Sequence, residues 1–162
     1  MASAAFVETD DGAGPDLIPY SRQEISEEDI AAVTAALTSD FLTQGPAVPA
    51  FEDAFAARHA TSHAVAVSNA TAALHIGCLA FGMAPGKRVW TSPISFVSSA
   101  NCAAMCGASV DFVDIDPVTR NMSLDALRAK LEEADKTGAL PDLLIPVDFA
   151  GLPCDLAEMR AL

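Results

Sequence analysis

His63-Ala64-Val65-Ala66-Val67, Arg88-Val89-Trp90-Thr91, Val110-Asp111-Phe112-Val113-Asp114-Ile115 and Leu143-Leu144-Ile145-Pro146-Val147 are four short, largely apolar runs, and their spacing decides the fold. Each has the length of a strand, and helical signals fill the gaps between them. The first gap holds a helix from about Ala70 to Phe81, stopped by Gly82. The second runs from about Phe96 to Cys106 and stops at Gly107. The third, from about Leu124 to Asp135, is capped by Ser123. Strands joined through helices make β-α-β crossovers, so the sequence predicts an α/β fold with a largely parallel sheet and helices on both faces.

Outward from this block, Ser26 is placed to cap a helix, with Asp29 at the third helical position and Ile25 and Ile30 as a hydrophobic staple. Ile30, Val33 and Leu37 continue its apolar stripe. A loop over 39–46 leads to a second helix with Val48, Phe51 and Phe55 on one face. Residues 1–17 are polar, rich in Gly and Ala and aperiodic, and read as a mobile arm ahead of an ordered region over 18–162. At the other end, Asp155 and Glu158 have capping-box spacing and open a helix with Leu156, Met159 and Leu162. That helix stops after about two turns and leaves the last strand poorly covered, so the chain reads as a fragment of something larger.

The bulk properties narrow the function. The 162 residues include 9 Lys+Arg against 22 Asp+Glu, a net charge of −13, which argues against nucleic acid or an anionic membrane as partner. Hydrophobic residues at 51% exclude intrinsic disorder. No apolar run approaches a membrane span, and the acidic N-terminus lacks the basic region of a signal peptide. Cys78, Cys102, Cys106 and Cys154 include no CxxC pair. Cys102 and Cys106 could form half of a metal site, but no His or Cys stands at partner spacing, so no metal is expected. Unpaired cysteines of this kind fit packing residues in a reducing, cytoplasmic setting.

Three stretches carry chemistry. Ser68-Asn69-Ala70-Thr71-Ala72 joins the first expected strand to its helix. Free N–H groups and the helix dipole favour a phosphate there, and the Thr71 hydroxyl adds a donor. The competing reading is a plain helix cap by Ser68 or Asn69. Phe96, after the second strand, is either a stacking surface for a planar ring or an ordinary core residue. Asp148, after the last strand, either faces a ligand crevice or forms a turn. His75 reads as a packed helix residue.

Read in order, Pro19-Tyr20-Ser21-Arg22-Gln23, Ser39-Asp40-Phe41-Leu42-Thr43-Gln44-Gly45-Pro46, Val65-Ala66-Val67-Ser68-Asn69-Ala70-Thr71-Ala72-Ala73-Leu74-His75, Ser92-Pro93-Ile94-Ser95-Phe96-Val97 and Pro146-Val147-Asp148-Phe149-Ala150-Gly151-Leu152-Pro153-Cys154-Asp155 form five collinear motifs. Over about 18–162 they resemble the N-terminal part of the DegT/DnrJ/StrS-type sugar-nucleotide aminotransferases, pyridoxal 5'-phosphate enzymes of the aspartate-aminotransferase fold. The resemblance implies that Ser68, Asn69, Ala70, Thr71 and Ala72 hold the cofactor phosphate and that Phe96 stacks on its ring. It places Thr43 and Gln44 near the substrate. Asp148 stands where relatives often have His.

The resemblance also implies a UDP-4-keto-6-deoxy-N-acetylhexosamine substrate, as in pseudaminic acid formation, with glutamate as amino donor and a homodimer when complete. The lysine that carries the cofactor, and the acidic partner of the pyridine nitrogen, are expected beyond residue 162. Lys87, Lys130 and Lys136 match neither motif, so no catalytic residue is assigned within the chain, which is expected to be inactive alone. Two other readings stand beside this one. They are a family sugar dehydratase with His in place of the lysine, and a non-catalytic phosphate-binding α/β fragment or truncated interaction partner of a longer homologue.

Overall fold

A computed structural model describes residues 22–162, so the expected arm over 1–17 and the Pro19-Tyr20-Ser21 motif lie outside the described residues. The chain divides into one unit ending at Ala64 and another spanning Val65–Leu162. The first contains α1 (Glu27–Leu37) and α2 (Ala47–Arg58). Its capping box forms as the residue types dictate: the Ser26 hydroxyl accepts from the Asp29 N–H at 3.2 Å, and the Asp29 carboxylate accepts from the Ser26 N–H at 2.8 Å. These bonds hold the Asp29 carboxyl below its ordinary pKa. On α2, the Phe51 and Phe55 rings lie tilted with centroids 5.9 Å apart, and Phe55 stacks on His59 at the helix C-cap at 4.3 Å. Ala56 is its only buried residue.

The second unit contains α3 (Ala70–Ala80), β1 (Arg88–Thr91), α4 (Ser98–Met105), β2 (Ser109–Phe112), α5 (Leu124–Thr137), β3 (Leu143–Ile145) and α6 (Leu156–Ala161). Its strands lie in the order β2-β1-β3, and both pairings are parallel, with Val89 opposite Val110 and Leu143. Strand alternation then sorts the core. Val89 turns to one face, where it packs with Cys78, Met83, Cys102, Ala103 and Ala108 around α3 and α4. Trp90 turns to the other and packs with Val113, Met122, Leu127 and Ala134 around α5. The α/β fold with helices on both faces is present.

Three boundaries differ from expectation. Residues 63–67 form no strand, and Val65 is 75% exposed. The run therefore does not join the sheet beside β1, whose two edges pair with β2 and β3. β2 and β3 end at Phe112 and Ile145, earlier than Ile115 and Val147. Beyond β2 the backbone turns back on itself, pairing Ile115 antiparallel with Met122.

The sheet is pinned at both ends. At the amino end, Asp142 accepts from Lys87 Nζ at 2.7 Å and from the Arg88 N–H at 2.8 Å. At the carboxyl end, the Thr91 hydroxyl donates to the Ile145 carbonyl at 2.8 Å. Gly107 closes the turn after α4 at φ +78°, with a hypothetical Cβ only 2.9 Å from Pro85 Cγ, so no side chain fits there. Among the described residues no helix is long and apolar enough to cross a membrane.

Candidate functional site

The amino end of α3 is built around Asn69. Its side-chain oxygen accepts from the Ala72 N–H at 2.9 Å, and its carbonyl accepts from the Ala73 N–H at 3.1 Å, which starts the helix. Ser68 accepts from the Asn69 amide at 3.3 Å. Asn69 is thus the helix cap, one of the two roles open to it. The cap leaves the Ala70 and Thr71 N–H groups without an acceptor, because the first turn of a helix has none to give. The Thr71 hydroxyl, on a half-buried residue, makes no hydrogen bond among the described residues. Two N–H groups and one hydroxyl, at the positive end of a helix dipole and beside the small side chains of Ala70 and Ala72, form a donor set suited to a phosphate.

Phe96 stands two residues ahead of α4, not at its first position as the sequence suggested. Its backbone is held: the Phe96 carbonyl accepts from the Ser99 N–H at 3.0 Å, and the neighbouring Ser95 hydroxyl bonds that of Ser99. Its ring is 73% exposed, so the core reading fails and a face is open for stacking.

Packing brings the two helix starts to one end of the sheet. Cys78, late in α3, packs with Cys102 in the middle of α4 and Cys106 at its end, and Gly107 after α4 meets Pro85 after α3, so the two helix ends lie together and the helices run in the same sense. Burial, reinforced by those two thiols, pushes the Cys78 thiol up to about 12. That places these cysteines as inert packing groups. Among the described residues no cluster of three His, Cys, Asp or Glu is arranged to hold a metal.

The other expected residues lie apart from this arrangement. Thr43 and Gln44 are exposed in the unit ending at Ala64, with Gln44 at φ +56°. Asp148 accepts from the Cys154 N–H at 2.9 Å and so shapes the turn after β3, while Asn121 bridges that turn by donating to the Leu152 carbonyl and accepting from the Phe149 N–H. All three lysines are engaged. Lys87 pairs with Asp142 at the amino end of the sheet. Lys130 pairs with Asp111 at 2.6 Å on the α5 face, and Lys136 with Glu133 at 3.3 Å. None stands at the α3 terminus.

Sequence reasoning passed over the serines around Phe96. Ser92, at the end of β1, is 2% exposed, and its Oγ has no hydrogen-bond partner among the described residues. It lines a cavity of about 200 Å³ with Ser95, Phe96, Val97, Ser99 and Phe112. The available signal was compositional: four serines stand within Ser92–Ser99, an otherwise apolar stretch. A larger cavity of about 480 Å³ lies between α5 and α6, but Asp116, Asp125, Asp155 and Glu158 line it and make it unsuited to an anion.

Known proteins are similar to this chain over most of its length. The family model described as the DegT/DnrJ/EryC1/StrS aminotransferase family matches residues 23–162. The spore coat polysaccharide biosynthesis protein SpsC of Bacillus subtilis (strain 168) is 40% identical over 145 residues, covering 90% of this chain and 36% of that protein. A DegT DnrJ EryC1 StrS aminotransferase from Brucella abortus superposes with a TM-score of 0.75 at 32% identity, over 82% of this chain and 36% of that one. Spr1654 from Streptococcus pneumoniae, assigned as a sugar aminotransferase and solved in its PLP-form, gives 0.77 at 28% identity over 89% and 35%. The chain therefore spans a little over a third of the length of these relatives.

Proposed function

Because the chain belongs to the DegT/DnrJ/EryC1/StrS aminotransferase family, we propose that it supplies the phosphate-holding and ring-stacking side of a pyridoxal 5'-phosphate site in a sugar-nucleotide aminotransferase. The observation that carries this reading is the unpartnered Thr71 hydroxyl with the open N–H groups of Ala70 and Thr71, at the same end of the sheet as the exposed Phe96 ring. These donors fit the phosphate, and an exposed aromatic face fits a planar heteroaromatic ring. The PLP-form of the similar Spr1654 supports the choice of cofactor.

When bound, pyridoxal phosphate supplies an electron sink through which an amino group and a proton move between donor and acceptor. The chain's own share is placement. The α3 terminus neutralises the phosphate, Asn69 keeps that terminus ordered, and Phe96 orients the ring and sheds water from one of its faces. In this reading Thr43 and Gln44 contact the substrate, a UDP-4-keto-6-deoxy-N-acetylhexosamine of the pseudaminic acid type, with glutamate as donor and a homodimer as the working form. The five collinear motifs support that finer assignment, and the similarity to SpsC supports a role in sugar metabolism.

An observation within the chain favours a second, narrower statement about these residues taken alone. Each lysine is ion-paired away from the α3 terminus, so the 162 residues bind the cofactor weakly and do not turn over substrate. The test is to titrate the chain with pyridoxal 5'-phosphate, reduce with borohydride and assay a UDP-4-keto sugar. Thr71→Val should weaken binding by about 1.5–3 kcal/mol, the range for a hydrogen bond to a charged group. Phe96→Ala should cost about 0.5–1.5 kcal/mol. Unchanged affinity in Thr71→Val removes Thr71 from the site. Stoichiometric trapping at Lys87, Lys130 or Lys136 together with turnover overturns the statement that the chain is inactive alone.

A further inference from the structure

We propose that the first turn of α4, with Ser92 behind it, is a second anion-binding site, separate from the α3 terminus and suited to a carboxylate or phosphate group of a substrate. It goes beyond the reading above and does not depend on the cofactor.

Two independent observations meet there. The first is the helix start. Val97 occupies the cap position of α4 and offers no side-chain acceptor. The Ser99, Ala100 and Asn101 N–H groups find carbonyls at Phe96 and Val97, but those of Val97 and Ser98 have no acceptor among the described residues. The second is Ser92. Its hydroxyl is buried at the end of β1, without a partner, and lines the same cavity as Val97 and Ser99. A buried hydroxyl left unpaired is costly, and native structures keep such a group when something absent from the bare chain pairs with it.

The donor set selects the charge of the ligand. Ser92, Val97 and the hydroxyl-paired Ser95 and Ser99 line the cavity, the open N–H groups of Val97 and Ser98 belong to the same helix start, and the helix dipole adds positive potential. No carboxylate lines it, although the chain carries −13. Three larger cavities among the described residues each contain Asp or Glu. About 200 Å³ accommodates one phosphate or carboxylate group. Such a group has two natural sources in an aminotransferase, the carboxylate of an amino donor and the diphosphate of a nucleotide sugar.

The experiment uses the 162-residue chain, labelled with nitrogen-15, and follows the Val97 and Ser98 amides during separate titrations with inorganic phosphate, glutarate and UDP. The Ala70 and Thr71 amides are followed in parallel with pyridoxal 5'-phosphate. Saturable shifts at Val97 and Ser98 are expected, with affinity at least about tenfold weaker in Ser92→Ala, as for loss of a hydrogen bond to a charged group. That variant should melt no lower than the parent in anion-free buffer, because it removes an unpaired polar atom. Val97→Asp puts a capping carboxylate in the site and should abolish anion binding while raising the melting temperature. Tighter binding of glutarate assigns the site to a donor carboxylate, and tighter binding of UDP to a diphosphate. Silence of Val97 and Ser98 toward all three probes, or equal affinity in Ser92→Ala, overturns the proposal. Silence of Ala70 and Thr71 toward pyridoxal 5'-phosphate would instead count against the function proposed above and leave this site standing.

Discussion

The residues up to Ala64 and those from Val65 onward carry similar local helix signals but differ in what their helices bury. α1 has a complete capping box and three acidic residues in its first turn, yet none of its residues is buried, and Ile30, Val33 and Leu37 stay at least half exposed. α5 has a simpler Ser123 cap and buries Leu127 and Ala134 against Trp90 and Val113. A cap decides where a helix begins. Apolar burial decides how much the helix adds to stability, because a few tenths to about 2 kcal/mol of capping is small beside the removal of a whole side chain from water.

The contrast can be broken by substitution. Leu127→Ala, at a residue 1% exposed, should cost about 2–5 kcal/mol in urea denaturation, whereas Leu37→Ala, at one 65% exposed, should cost under about 0.5 kcal/mol. Equal effects would show that the exposed stripe of α1 is in fact stabilising. A backbone test comes next. Gly107→Ala forces a Cβ against Pro85 at positive φ and should destabilise the Val65–Leu162 unit by about 1–3 kcal/mol. Ser26→Ala removes the hydroxyl half of the capping box, leaving its backbone N–H to Asp29, and should cost about 0.5–2 kcal/mol of α1 helicity, read as exchange protection of its first-turn amides, with α5 unchanged.

The smallest effect is that of acid. The folded pKa of Asp29 lies below its ordinary value of 3.8, so its contribution is fully present above that pH and disappears as the pH falls through the folded value. Fraying of α1 should therefore begin below about pH 3.8 in the parent chain, persist in weakened form in Ser26→Ala, which keeps the backbone N–H bound to Asp29, and be absent as a separate step in Asp29→Asn. The first-turn amide shifts measure all three.

What could be read in advance divides along the same line. The caps at Ser26, Asn69, Ser123 and Asp155 are all formed, because a cap depends on residues within four positions of one another. The parallel sheet was also legible, since the alternation of apolar runs with glycine-terminated helices allows few other topologies. The run at 63–67 was misread because strand formation is decided by pairing across the sheet, which no local pattern records. The left-handed backbone at Gln44, Ala60, Arg120 and Ala150 left no glycine as a signal.

In the candidate site, the cap at Asn69 was legible from the start of the helical pattern, while spacing could not tell whether Phe96 is a core residue, which its exposure excludes. Ser92 was hidden for a different reason. A serine in an apolar stretch is unremarkable until burial shows that its hydroxyl has nothing to bond.

Trp90 is the single tryptophan of the chain, 3% exposed and with the Lys130 ammonium 4.9 Å from its ring centre. Light excited selectively in indole therefore comes from one known place, the α5 face of the sheet, and carries no signal from α1 or α2. Its emission should be blue-shifted while that face is dry and should move to the red only when β1 separates from α5. Helix content measured by circular dichroism averages both units. The gap between the two curves during unfolding thus provides, without any label, a direct measure of whether the chain melts in one step or in two.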